Sequence, residues 1–300
     1  MVGKIIAGDE NCHPSHFYSV FRPEAPIFAG MATSPFQSIF KKRLGRLRQL
    51  MAAPEKMTRQ HERLHSLRIE LKKWRAGLRL LRNVDPAFPY PEIYEPFKTL
   101  FAAAGQLRFW QLQRLFVRRT AHVPPVFARL YQTYARHRLN EAWEDFGKKA
   151  AKENVPRWRE LKGEFRQSFK TCTPAAIQAY FDLLQKDIAD KAGKLNRRRT
   201  IDLHELRKLL KEYANNRQLT VKHLQLDPGP PGGIPAENAS FDELLGEWHD
   251  QDAACIQLAE DLRTQGWEGE VLRAGKAVFR EWRRKEREMW AEITAALRKS

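Results

Sequence analysis

From Phe36 onward, apolar side chains recur every three or four residues along almost the whole chain. This spacing places them on one face of an α-helix, whereas the alternation of apolar and polar residues that marks a half-buried strand is absent. Prolines and glycines separate the periodic segments and end the predicted helices. The predicted helices span about residues 36–52, 57–83, 92–119, 123–152, 157–169, 174–195, 200–218, 240–264 and 269–298. The pattern therefore predicts an all-α fold, preceded by an irregular segment at residues 1–34 that is rich in Pro, Gly and small polar residues.

Two short motifs each occur twice, at nearly the same interval. His65-Ser-Leu-Arg68 opens one long basic helix, and His204-Glu-Leu-Arg207 opens another 139 residues later. The segments 105–115 (GQLRFWQLQRL) and 246–256 (GEWHDQDAACI) are similar and lie 141 residues apart. Two unrelated motifs at almost one interval indicate an internal duplication of a four-helix unit. We predict one domain at 35–298, with a first half at about 35–153, a connecting helix at about 154–172 and a second half at about 173–298.

The chain carries a large excess of positive charge: 53 Lys and Arg against 36 Asp and Glu in 300 residues, a net charge of +17. Such an excess is typical of proteins that bind a polyanion, such as nucleic acid, an acidic membrane surface or a phosphate polymer. No apolar run reaches the length of a membrane span, and the three cysteines form no CxxC pair. We therefore expect a cytoplasmic protein with no disulfide framework, no metal, no cofactor and no membrane partner.

The positive charge is segregated on particular helix faces. On the helix that begins near His61, Leu67 and Trp74 lie on an apolar stripe that is separate from the basic one. A merely solvated face normally mixes charges of both signs, because ion pairs form at spacings of three and four residues. Guanidinium groups bind phosphate oxygens two at a time, and lysine supplies a mobile point charge. The basic stripe consists of His65, Arg68, Lys72, Arg75 and Arg79.

Three further helices show the same segregation of basic residues. Their stripes are His204, Arg207, Lys208 and Lys211; Arg129 and Arg136; and Arg273, Lys276, Arg280, Arg283 and Arg287. One such face alone is usually only solvated, with long side chains covering apolar surface. Four such faces, together with the uncompensated net charge, favour phosphate binding, and we predict that these side chains contact phosphate groups.

The basic motif is recognisable. His65-x-x-Arg68, followed by Lys72, Lys73 and Arg75, resembles the signature of the CHAD family, the conserved-histidine α-helical domain. His204-x-x-Arg207 with Lys211 resembles a second copy, and 244-LLGEWHDQDAA-254 resembles the family's Gly-x-x-(Arg/His)-Asp element. The resemblance covers about residues 36–298, which is nearly the whole chain.

The resemblance implies two four-helix bundles, related by pseudo-twofold symmetry, with a basic channel between them. It also implies binding of inorganic polyphosphate and association with polyphosphate granules. Many members of the family are fused to a CYTH triphosphatase domain, whose Glu-x-Glu-x-Lys motif is absent here. We therefore expect a non-catalytic polyphosphate-binding protein, with other polyanions as further candidate partners and without sequence-specific DNA binding.

The two halves depart from the family pattern in different ways. In the second copy, Glu212 and Ala214 occupy positions where basic residues are expected. In the first half, Phe109 replaces the aspartate that Asp250 supplies in the second. We therefore expect the first-half helix to carry more of the binding. Asp250 would repel a polyanion, so it is predicted to orient a neighbouring arginine or to cap a turn.

Two short strings suggest a metal, but their context disfavours it. 61-HERLH-65 matches the H-E-x-x-H zinc motif, in which two histidines hold zinc and Glu62 acts as general base. Arg68 and Leu71 stand where the metzincin motif continues with Gly and His, and the cations on the histidine face would repel a dication. The string 12-CHPSH-16 lies in the segment predicted to be irregular.

Three other functions remain open from the sequence. RNA binding is the main alternative, because nucleic acid and polyphosphate present similar backbones to a basic stripe. A metal-dependent polyphosphate or triphosphate hydrolase is the second, although hydrolysis normally requires carboxylates that hold a metal, and the basic stripes contain none. A scaffold that binds another protein is the third.

Overall fold

The computed structural model describes residues 35–52, 61–152, 155–196, 200–231 and 239–298. Within these ranges the chain forms nine α-helices and no strand, which confirms the all-α fold class. The helices are α1 (Pro35–Met51), α2 (His61–Val84), α3 (Tyr90–Arg119), α4 (Pro125–Lys152), α5 (Trp158–Thr171), α6 (Pro174–Gly193), α7 (Thr200–Leu224), α8 (Ala239–Thr264) and α9 (Gly269–Arg298). The predicted irregular segment, with its CHPSH string, lies outside the described residues.

Helix α7 continues six residues beyond its predicted end at residue 218. Asn215 and Asn216 interrupt the apolar pattern shortly before the predicted end. The side chain of Asn216 is nevertheless buried, and its amide Nδ2 donates to the carbonyl oxygen of Ala76 at 3.0 Å and to the Tyr180 hydroxyl at 2.7 Å. Because these bonds offset the burial of a polar group, the buried stripe extends through Asn216 to Leu219.

The nine helices pack in two groups, and each group combines both halves of the sequence. In the first bundle, α1 and α2 pack with α6 and α7, and α5 covers α1 and α2. In the second bundle, α3 and α4 pack with α8 and α9. The predicted halves are therefore interleaved in space. The pseudo-twofold symmetry between them stays a prediction.

An aromatic cluster forms the centre of the first bundle. The ring centroids of Phe40 and Trp74 are 5.6 Å apart, and those of Trp74 and Phe97 are 5.3 Å apart. Helix α5 adds Phe165, whose ring lies 5.0 Å from Phe40. Aromatic side chains bury more apolar area than any others, so this cluster fixes α1, α2, α3 and α5 relative to one another.

The second bundle combines aromatic packing with a buried carboxylate. Asp261 on α8 accepts hydrogen bonds from the hydroxyls of Tyr134, at 2.9 Å, and Tyr131, at 3.3 Å. Trp267 packs edge-on against both tyrosines.

None of the helices in the described part of the chain is long and apolar enough to cross a membrane. Cys172 and Cys255 are free and buried, while Cys12 lies outside the described residues.

Gly275 on α9 lies at a close contact of three helices. A Cβ at this position would lie 2.5 Å from Leu262 Cδ2 on α8 and 2.8 Å from Phe127 Cε2 on α4. Atoms do not approach this closely without displacement, so a larger residue would have to shift the side chains of Leu262 and Phe127 or α9 itself. Gly147 on α4 is different, since a Cβ there meets no atom within 4 Å.

We expect Gly275→Ala to lower the free energy of unfolding by about 1–2 kcal/mol, because overpacking outweighs the better helix propensity of alanine. Gly147→Ala, the matched control in the same bundle, should raise it by about 0.5–1 kcal/mol. Urea unfolding monitored by circular dichroism measures both values. An unchanged or increased stability of Gly275→Ala would contradict the close packing of α9.

Candidate functional site

The two bundles meet where the paired signature helices lie side by side. Helix α2 packs against both α7 and α3, and α3 packs against α8. Five basic side chains at this junction act on one another electrostatically and are all partly buried. We call them the cation cluster: Arg68 and Lys72 from α2, Arg108 from α3, and Arg207 and Lys211 from α7.

Arg68 is held in place by α3. Its guanidinium carbon lies 5.1 Å from the centre of the Phe101 ring, a cation–π distance, and Arg75 approaches the same ring at 5.3 Å. The Nη1 atom of Arg68 lies against Gly105, where a Cβ would be only 3.2 Å away. Gly105, the glycine in the first copy of the Gly-x-x-(Arg/His) element, therefore leaves room for the guanidinium group of Arg68.

Two donors of the cation cluster are buried without a partner. Neither Arg68 Nη1 nor Arg207 Nε has a hydrogen-bond acceptor among the described residues. A buried donor without an acceptor costs about 1–3 kcal/mol, and more when it carries charge. An oxygen of a bound anion would satisfy such donors.

The pKa values of the cluster show the same shortage of negative charge. Burial, and then repulsion from Arg108, lower the pKa of Arg68 to about 10. Burial, and then repulsion from Arg68, Arg207 and Lys211, lower the pKa of Lys72 to about 8. Burial also lowers the pKa of Arg207, against the opposing charges of two aspartates. Charged forms are thus disfavoured at this junction in the free protein.

Asp250 is a partly buried carboxylate whose charge acts on the cation cluster. Burial raises its pKa, although Arg207, Arg108, Lys72 and Arg68 all act to lower it. Its charge interacts most strongly with Arg207, which agrees with the expectation that Asp250 orients a neighbouring arginine. That role stays a prediction. Asp242, at the start of α8, forms an ion pair with Lys211 but is itself exposed.

Two histidines border the cluster on the α7–α8 side. His204 Nε2 lies 3.0 Å from Asp252 Oδ2, and His204 Nδ1 lies 2.9 Å from Nδ1 of His249. Asp252 is only 1% exposed and also accepts a hydrogen bond from Arg283 Nη1 at 3.2 Å. The Trp248 ring packs on His204 with centroids 4.7 Å apart. Burial, followed by repulsion from Arg207, lowers the pKa of His249 to about 2.

Some of the predicted phosphate contacts already have carboxylate partners. Arg79 Nη1 donates to Glu212 Oε2 at 2.7 Å, so a residue that departs from the family pattern ties α7 to α2. Burial opposes the charge of Arg79, but the Glu212 carboxylate raises its pKa overall. Lys208 pairs with Glu205 at 2.8 Å, and Arg283 pairs with Asp252. An incoming phosphate would have to displace these carboxylates, and the three contacts stay predictions.

The other predicted residues lie at the edge of the cluster or away from it. His65 is exposed beside the cluster, and burial and then Arg108 lower its pKa. None of the basic residues predicted on α4 and α9 is among the charges that shift the pKa of Arg68, Lys72 or Arg207. Apart from Arg283, they are exposed side chains of the second bundle: Arg129, Arg136, Arg273, Lys276, Arg280 and Arg287.

Three residues of the site were not among the predicted contacts. Arg108 and His249 both occupy the Arg/His position of the Gly-x-x-(Arg/His)-Asp element, so the motif itself contained the signal. Asp252 had no such signal, because its pairing with His204 depends on how closely α8 approaches α7.

The described residues include no group of three or more His, Cys, Asp or Glu side chains arranged to hold a metal ion. The side chain of His61, the first histidine of the H-E-x-x-H string, lies outside the described residues.

Comparison with known proteins identifies the family and the fold. The family model for the CHAD domain matches residues 39–219, more than half of this chain. The crystal structure of the CHAD domain from the plant Ricinus communis is similar, with a TM-score of 0.55 and 17% sequence identity over 94% of this chain and 97% of that chain. At this identity the likeness shows a shared fold. No curated protein matches the chain significantly.

Lys72→Met should stabilise the free protein at pH 7, by about 1–3 kcal/mol, because a lysine whose pKa falls to about 8 is charged there at a cost to folding. Between pH 8 and 10.5 the wild-type side chain loses its proton in the folded state before it does so in the unfolded state. The stability of wild type should therefore rise over this pH window, and the difference in free energy of unfolding between wild type and Lys72→Met should shrink. Urea unfolding at pH 7 and pH 9.5 measures it, with Lys73→Met as control. An equal effect of both variants at both pH values would contradict the electrostatic cost.

Proposed function

Because this chain belongs to the CHAD domain family, we propose that its cation cluster binds inorganic polyphosphate and catalyses no reaction. The observation that carries the proposal is the shortage of negative charge at the bundle junction. Five partly buried cations face Asp250 and the exposed Asp242, and two of their donors are buried without an acceptor. Such a site costs free energy when empty, and anionic oxygens would recover that cost.

The arrangement of the cluster favours a chain of phosphates over a single one. Its cations come from three helices in two bundles, and together they require more negative charge than one phosphate carries. A polyphosphate chain carries a negative charge on each phosphate and can follow the junction from one helix to the next. Arginine supplies paired donors for phosphate oxygens, and Lys72 supplies one point charge at the centre.

The exposed basic residues of α4 and α9 have a smaller role in this proposal. Exposed charges are screened within about 10 Å at 0.1 M salt, whereas partly buried ones are screened much less. We expect the exposed residues to speed association and to add affinity for long chains. Binding of this kind fits a cytoplasmic protein at polyphosphate granules, and that location is part of the proposal.

Replacing two cluster arginines should weaken polyphosphate binding strongly. We expect Arg68→Gln with Arg207→Gln to lower the affinity by at least about 100-fold, since each lost charge-assisted hydrogen bond is worth about 1.5–3 kcal/mol. Isothermal titration calorimetry with polyphosphate of one defined length, at physiological salt, measures the change.

The matched control is Lys162→Gln with Arg166→Gln, which removes the same charge from exposed positions on α5. It should change the affinity by less than about threefold, because exposed and screened charges contribute little. Equal losses in the two double variants would show that only net charge matters, and the proposed site would be wrong.

Salt dependence and competition separate polyphosphate from nucleic acid. Neutralising five charges should give a slope of about −3.5 for log affinity against log salt, if each contributes about −0.7 as for single-stranded nucleic acid. Labelled polyphosphate should resist displacement by RNA and duplex DNA at physiological salt. Equal displacement by RNA would favour the nucleic-acid function, and phosphate release with Mg²⁺ or Mn²⁺ would establish a hydrolase.

A further inference from the structure

The two copies of the repeat differ at the edge of the cation cluster. With the interval of 141 residues that relates the Gly-x-x-(Arg/His)-Asp segments, His249 corresponds to Arg108 and Asp252 corresponds to Gln111. The first copy thus places a permanent cation beside His65, with a glutamine behind it. The second copy places a titratable ring beside His204, with a buried carboxylate behind it. Only the second copy combines groups that can exchange a proton.

The distances in the second copy define a continuous hydrogen-bonded chain. Asp252 Oδ2 lies 3.0 Å from His204 Nε2, and His204 Nδ1 lies 2.9 Å from His249 Nδ1. A carboxylate only accepts, so Nε2 of His204 must carry a hydrogen that it donates to Asp252. Between the two Nδ1 atoms there is one hydrogen, which belongs to one ring or to the other.

Each position of that hydrogen fixes the character of the last nitrogen in the chain. If His204 is neutral, its Nδ1 accepts from Nδ1–H of His249, and Nε2 of His249 has a free lone pair. If His204 is an imidazolium, its Nδ1–H donates to His249, and the neutral His249 carries its own hydrogen on Nε2. One added proton therefore changes Nε2 of His249 from an acceptor into a donor.

The charges around the histidines keep His249 neutral in both states, so that the added proton belongs to His204. Burial, followed by repulsion from Arg207 on α7 and from Lys72 and Arg68 on α2, lowers the pKa of His249 to about 2. On α8, Asp250 and Asp252 are the nearby carboxylates. On α9, Arg283 pairs with both Asp252 and Glu286 and holds Asp252 in place. A bound polyanion would offset the repulsion from α2 and α7.

We propose that Asp252, His204 and His249 form a proton relay, through which an anion entering the cation cluster is bound together with one proton. A proton from solvent adds to Nε2 of His249, and the Nδ1 hydrogen of His249 passes to Nδ1 of His204. The resulting imidazolium keeps its Nε2–H bond to the Asp252 carboxylate, which balances the new charge. His249 then donates Nε2–H to an oxygen of the anion.

This inference rests on the proposed function and deepens it. His204 and Asp252 are positioning residues, because they do not contact the anion but decide whether His249 donates or accepts. The relay favours fully ionised phosphate oxygens, which accept hydrogen bonds, over neutral ligands. It also makes the affinity rise as the pH falls, because binding takes up a proton.

The test measures protons taken up on binding. Calorimetric titration of the full chain with long polyphosphate, in buffers of different ionisation enthalpy, gives the number of protons per bound anion. At pH 6.5 wild type should take up measurably more protons per bound anion than His204→Gln, because only wild type has the ring that receives the added proton. Lys72 is charged at this pH in every variant, so its contribution to proton uptake cancels when the variants are compared. His223→Gln, an exposed histidine at the far end of α7, is the control and should match wild type.

A second variant keeps the test decisive if His204→Gln fails to fold. His249→Gln retains a side-chain donor that needs no proton, so its affinity should lose most of the pH dependence seen between pH 6 and 7, a range below the pKa of about 8 of Lys72. Unchanged proton uptake in His204→Gln, or a wild-type pH profile in His249→Gln, overturns the relay and leaves polyphosphate binding in place. Absence of polyphosphate binding by wild type overturns the proposed function itself.

Discussion

The structure holds positive charge in partly buried positions without enough carboxylates to neutralise it, and the rest of the molecule compensates for that cost. Burial lowers the pKa of Arg68 and Lys72, so both are charged at neutral pH at the expense of stability. The compensation comes from packing around the same helix. On its other face, α2 presents Trp74 to the aromatic cluster of the first bundle. Destabilised polar groups commonly occur at functional sites that are stabilised elsewhere in the fold.

Interleaving of the two halves is what brings the cations together. Helices α2 and α7 come from different copies of the repeat and lie side by side, while α3 and α8 bring the second bundle up to them. The ion pair of Arg79 with Glu212 and the hydrogen bonds of Asn216 hold α2 and α7 in this position. A substitution that breaks the family pattern, Glu212, thus serves the architecture of the site by fixing the distance between its two main helices.

The copies have diverged into different chemical roles. The first supplies permanent cations, Arg68 and Arg108, with Arg68 set between the Phe101 ring and Gly105. The second supplies Arg207 together with carboxylates and two hydrogen-bonded histidines, His204 and His249. In the proposed relay, the first copy binds charge and the second adjusts its own charge to what is bound. That the first half carries more of the binding stays a prediction.

The sequence by itself determined the all-α class, the position of most helices and the duplicated basic motif, because apolar periodicity and motif spacing are local properties of the chain. It also identified Arg68, Lys72 and Arg207 as candidates, since a helix fixes which residues share a face. Only the tertiary structure decided which stripes meet. It paired Arg79 with Glu212, and it brought Arg108, His249 and Asp252 next to the signature helices. These outcomes depend on the angle and distance between helices far apart in the chain, which the periodicity of one helix does not encode.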